Sequence, residues 1–180
     1  MPVVAQVSSF WPETVFDESP EAGEWCALHV RPRAEKVVAR QLLDLKIPHF
    51  LPLHERRKKY QRRLVVSRLP LFPGYVFAMP GADDSSNLLI RQVVRKLPTD
   101  DPEQLAYDLR QIHSLIESGQ PVSREERLQP GMPARITSGP LAGLEGQVVR
   151  NKQGVRFVIQ VQFIQQGTSV ELEGACIEAL

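Results

Sequence analysis

Residues 67–77 read SRLPLFPGYVF, and they follow the most basic stretch of the chain, HERRKKYQRR (54–63). Pro73-Gly74 is a turn signal, because proline presets its own φ and glycine accepts a positive one. The run behind it, Tyr75–Ala78, has the composition of a strand. The segment is therefore either a sharp turn into a buried strand or a turn that displays Phe72, Tyr75 and Phe77 to a partner.

Working outward, Phe50–Leu53 and Leu64–Val66 read as two short strands, so HERRKKYQRR becomes the tip of a hairpin. Upstream, Trp25–Val30 reads as a strand. In RPRAEKVVARQLLDLK, residues Ala34, Val38, Leu42 and Leu45 share one helical face, with Pro32 in the first turn and Pro48 ending the helix. Downstream, GADDSSN (81–87) is a loop and Val93–Leu97 a strand. Asp101-Pro102-Glu103-Gln104 opens a helix whose stripe is Leu105, Leu109, Ile112 and Ile116, and Gly119 closes it.

The texture then changes. Residues 118–129 read as a linker, and 130–180 contain frequent glycine turns and no helical stripe. In Arg156–Phe163 the residues Phe157, Ile159, Val161 and Phe163 share one face, the mark of a half-buried strand. The expected organisation is a flexible acidic leader (1–22), a mixed α+β domain (23–117), the linker (118–129) and a small all-β domain (130–180).

Apolar residues form 42% of the 180, enough for a folded core, and the net charge is +1. That mean hides segregation: residues 1–24 carry five acids and no Lys or Arg, whereas residues 31–68 carry twelve Lys/Arg against three acids. Segregated charge speaks of partners. No apolar run approaches the ~20 residues that span a bilayer, and residues 1–24 lack the pattern of a secretory signal. The cytoplasm is the expected compartment, with no membrane partner. Cys26 and Cys176 read as buried free thiols. The four histidines have no metal-ligand spacing, no nucleophile elbow or phosphate loop is present, and no catalytic residue, metal or cofactor is expected.

PGMPARITSGPLAGLEGQVVR (130–150) places a strand, a turn through Gly139, Pro140, Leu141 and Gly143, and a second strand entered at Gly146. It resembles the KOW motif, which implies an SH3-like five-stranded barrel. Trp25, the helix holding Glu35-Lys36-Val37, then LFPGYVF (71–77) and, after a linker, KOW is the order found in the NusG family of transcription elongation factors. The resemblance covers about residues 24–180. It implies an N-terminal antiparallel sheet with flanking helices whose apolar cavity grips the clamp helices of the largest RNA polymerase subunit. On it, Phe72, Pro73, Gly74, Tyr75 and Phe77 belong to the contact surface; core filling is favoured for Val76, partner contact for Tyr75 and Phe77, and Phe72 stands between.

The short, very basic hairpin and the abrupt passage from Val93–Leu97 to the next helix look more like the specialised RfaH, UpxY and LoaP kind, processive antiterminators. That likeness implies a DNA patch at Arg31, Arg33 and Lys36, and a small polar motif near Ser85 and Ser86 that touches the polymerase gate loop. Independently, Arg56, Arg57, Lys58, Lys59, Arg62 and Arg63 suit phosphates of any sequence, upstream or non-template DNA in that setting, and Tyr60 suits base stacking. Ile164 stands near a family position that faces Rho or ribosomal protein NusE. The alternation of Arg156–Phe163 argues for a constitutive barrel rather than a helical refold. The resemblance implies a monomer that suppresses pausing or termination. An RNA-binding or ribosome-associated KOW protein, and a housekeeping NusG that couples transcription to translation, stay open beside it.

Overall fold

The computed structural model describes residues 9–17, 23–81, 89–125, 131–151, 154–171 and 177–180. The order is β1 (Phe10–Trp11), β2 (Cys26–Val30), α1 (Glu35–Asp44), β3 (His49–Phe50), β4 (Leu53–Tyr60), β5 (Arg63–Pro70), β6 (Tyr75–Ala78), β7 (Val93–Pro98), α2 (Pro102–Glu117), β8 (Ser123–Glu125), β9 (Met132–Ile136), β10 (Glu145–Asn151), β11 (Gly154–Val161), β12 (Gln166–Glu171) and β13 (Ile177–Ala179). Two compact units result. One holds Met1–Leu53 with Phe72–Glu103, the other His54–Leu71 with Gln104–Leu180.

The first unit is a five-stranded antiparallel sheet in the order β1-β3-β6-β2-β7. Side chains alternate across it. Cys26, Leu28, Val30, Val76 and Ala78 point to one face, where they pack with Val38, Ala39 and Leu42 of α1. The expected helical stripe holds at Val38 and Leu42, while Leu45 is exposed because α1 ends at Asp44. The opposite face carries Phe50 and Phe77, which are paired directly across β3 and β6.

Part of the expected mobile leader belongs to this sheet. Phe10 pairs with Phe50 and Trp11 with His49, and Val15 is buried. The Phe16 ring stands edge-on to Phe50 at 4.9 Å and stacks on Trp25 at 5.9 Å. Burying these aromatics outweighs the cost of ordering a few residues.

The hairpin also differs from expectation. The basic run is not a tip: it forms most of β4, and Gln61-Arg62 alone makes the turn, with φ of 42° and 66°. Positive φ at both central residues is the geometry of two-residue hairpin turns, whose twist matches that of the strands. The hairpin is accordingly two eight-residue strands rather than short.

The second unit contains a six-stranded antiparallel sheet, β13-β9-β10-β11-β12-β8. Its sixth strand, β8, comes from the expected linker and pairs with β12. Phe157, Ile159 and Val161 are buried as the alternation requires, but Phe163 falls in a 3-10 turn (Gln162–Ile164) and is exposed. α2 follows its predicted start and stop, with Gly119 at φ 70°; Leu105, Leu109 and Ile112 of the stripe are buried, but Leu115 is buried in place of Ile116, which is half-buried. The chain is thus α+β with a small all-β C-terminal part.

Candidate functional site: the Pro73-Gly74 corner and the basic ribbon

The Phe72–Tyr75 corner is held from two directions. Gly74 has φ 87°, a conformation that strains any side-chain-bearing residue. Its N–H donates to Glu35 Oε1 at 2.8 Å, and its carbonyl accepts from the Val30 N–H at 2.8 Å. Glu35 is only 4% exposed, so its carboxylate is spent inside the protein, at the start of α1. The first turn of α1 therefore fixes the turn that launches β6.

The corner sorts its residues. Pro73 is exposed and Tyr75 half-buried, with the Tyr75 ring 5.7 Å from His29 across β2. His29 and Arg95, paired across β2 and β7, are both exposed beside it. Phe72 and Phe77, expected at a contact surface, are 1% and 0% exposed and meet edge-to-face at 6.2 Å. Strand geometry explains this: Phe77 sits mid-sheet between Ala27 and Phe50, whereas Tyr75 lies at the end of β6. Ser85 and Ser86 lie outside the described residues.

Arg31, Arg33 and Lys36 are exposed around the start of α1, and Arg40 follows one turn later on the helix. The ribbon β4–β5 exposes Arg56, Arg57, Lys58, Lys59, Arg62 and Arg63, and Tyr60 is 63% exposed. Over residues 53–70 there are seven Lys/Arg and one acid, a net +6; the other 162 residues hold 15 Lys/Arg and 20 acids, a net −5. The cationic groups of this protein are thus concentrated on an element with little core of its own.

In the second unit, Gly139 and Gly143 adopt φ of 84° and 91°, and Gly143 N–H donates to the Ile136 carbonyl at 2.8 Å. Leu141 is buried and Pro140 exposed. A Cβ on Gly146 would overlap the Val158 carbonyl oxygen. α2 is joined to this sheet by polar contacts that no local spacing announces. Tyr107 OH donates to Glu145 Oε2 at 2.6 Å, and Glu145 also pairs with Arg135. The Asp108 carboxylate accepts from Gln162 N–H at 3.0 Å. Burial, reinforced by the Glu145 carboxylate, pushes the Tyr107 phenol up to about 12.

Burial pushes the Cys26 thiol up to about 11, far from a reactive thiolate. Among the described residues no cluster of His, Cys, Asp or Glu is arranged to hold a metal ion, and no helix is long and apolar enough to cross a membrane.

A turn clasped to a helix start and an antiparallel sheet belong to the first unit, and the basic ribbon to the second. The model of the family described as "Transcription termination factor nusG" matches residues 23–122, more than half of the chain. The "Transcription termination/antitermination protein NusG" of Pasteurella multocida (strain Pm70) is 30% identical over 132 residues, 68% of each chain. This chain belongs to the NusG family, a family of transcription termination and antitermination factors.

Proposed function

We propose that this protein acts during transcript elongation as an antiterminator that bridges RNA polymerase. The exposed edge of the corner, Pro73 and Tyr75 with His29 and Arg95, seats on the clamp helices of the largest subunit. The Ser85–Ser86 segment faces the gate loop, and the basic ribbon and the Arg31–Lys36 patch face upstream or non-template DNA. Binding favours the closed clamp, so the swung-open, paused state is less populated; no covalent chemistry is required, only different affinities for two states. The C-terminal sheet, through the turn around Ile164, is the contact for ribosomal protein NusE. The basic charge of the ribbon and the short passage from β7 to α2 favour a specialised role over a housekeeping one. On this reading the protein works in the cytoplasm as a monomer.

The observation that carries the reading is the Glu35–Gly74 clasp, which spends a buried carboxylate on presenting Tyr75 at a surface corner. Well-packed aromatic anchors dominate such interfaces, at about 2 kcal/mol or more each. The test is a pulldown with a single-round elongation assay on cognate polymerase. Tyr75→Asp is expected to keep a cooperative melt and lose both polymerase capture and pause suppression. Phe77→Asp is expected to lose the fold itself. A folded wild-type protein that leaves polymerase unbound refutes the proposal and directs attention to RNA or the ribosome.

A further inference from the structure

The ribbon β4–β5 has two faces, and they are not equivalent. A two-residue turn places Tyr60 opposite Arg63, and residues on each strand then alternate between faces. Arg56, Lys58 and Tyr60 therefore share one face with Arg63, Val65 and Ser67. Glu55, Arg57 and Lys59 share the other with Leu64, Val66 and Arg68. The ion pairs agree with this register: Glu55 approaches Arg57 at 3.6 Å on its own strand and Arg68 at 3.9 Å across the turn. Each face has three cations, yet one acid partly neutralises two of them on the second face. Among the described residues, no ion pair holds Arg56, Lys58 or Arg63.

We propose that the ribbon is a one-sided binding surface for single-stranded DNA, with Arg56, Lys58 and Arg63 on its phosphates and Tyr60 stacked on a base. This deepens the functional reading above and rests on it for the choice of DNA, the strand that a clamp-bound ribbon would meet. The chemistry is local. Alternate residues of a strand recur about every 6.8 Å, a spacing suited to successive phosphates of an extended backbone. Tyr60 lies next in that row and is 63% exposed. An aromatic ring among cations serves a strand whose bases are unpaired, because a duplex hides its base faces. The opposite face would meet the same backbone with Glu55 at its base, which repels phosphate and competes for Arg57 and Arg68.

Two double variants, each removing two cations from adjacent exposed positions, separate sidedness from bulk charge. Binding of the full chain to fluorescent oligo(dT) is measured by anisotropy across a salt series, without polymerase. Each phosphate contact on a single strand contributes about 0.7 to the slope of log affinity against log salt. Arg56→Ala/Lys58→Ala is expected to lower that slope by about 1.4, and Arg57→Ala/Lys59→Ala to lower it by clearly less, through the loss of bulk charge alone. Tyr60→Ala is expected to weaken binding by about fivefold or more. Equal slope changes in the two doubles overturn the sidedness. Duplex DNA, or an RNA strand of equal length, bound more tightly than oligo(dT) overturns the assignment to single-stranded DNA, as does absence of binding at low salt. Polymerase capture through Tyr75 is a separate measurement, so failure of one reading is not failure of the other.

Discussion

Replacing Glu35 tests whether the corner depends on its clasp. Glu35 is 4% exposed and its carboxylate accepts the Gly74 N–H at 2.8 Å. Hydrogen bonds to a charged group contribute about 1.5–3 kcal/mol, and a donor left unmade in a buried place costs a similar amount. Glu35→Ala is therefore expected to destabilise the first unit by about 2 kcal/mol. For a domain of this size that corresponds to roughly 8–16 °C in melting temperature. Glu35→Gln keeps an acceptor oxygen without the charge and should cost about half as much. Gly74→Ala, which forces a side chain into φ 87°, should cost about 1–2 kcal/mol. Combined with Glu35→Ala it should cost less than the sum, since both loosen one turn. Urea and thermal unfolding give the energies, and amide exchange at Gly74 reports the bond directly. A loss below about 0.5 kcal/mol for Glu35→Ala, or equal losses for Ala and Gln, would refute the reasoning.

Two further outcomes follow from buried polar groups. His49 is fully buried, its Nδ1–H donates to the Ile47 carbonyl at 2.9 Å, and its Nε2 has no partner among the described residues. Burial holds its pKa below 6.5, so its stabilising contribution is complete above pH 6.5 and declines as pH falls below that value, by up to about 1.4 kcal/mol per pH unit; His49→Asn should remove that part of the pH profile of unfolding. Asp108→Ala removes the acceptor for Gln162 N–H, and hydrogen exchange in Gln162–Ile164 is expected to quicken while α2 stays helical by circular dichroism.

Elements whose signals are local were legible in the sequence. α2 announces itself through Asp101-Pro102, its apolar stripe and Gly119, all within one helix. The Pro73-Gly74 turn and the glycine-rich turn at 139–143 needed only local backbone chemistry. The ribbon was half legible, because strands wet on both faces show no apolar alternation: β4 carries Arg56, Arg57, Lys58 and Lys59 in succession. β1 and β8 were hidden for another reason. Two or three residues carry no periodicity, and their strand state comes from partners 40 or more positions away, Phe10 with Phe50 and Ser123 with Ser169. The candidate site divides in the same way. Tyr75 and the ribbon cations were readable from residue type, but Glu35 reaches Gly74 across 39 residues. The burial of Phe77 depends on its place in the sheet, which residue type alone does not specify.

The two-residue strand β1 has a practical consequence. Without it, β3 would be the outer strand of its sheet, and Ser9 would no longer accept the Leu51 N–H. A chain trimmed at residue 22, as its acidic composition invites, would bare the edge of β3 and uncover Trp25 and Phe50. Unprotected edges of that sort recruit strands from other molecules. Solubility in the test tube would then hinge on a piece that a boundary drawn by composition removes.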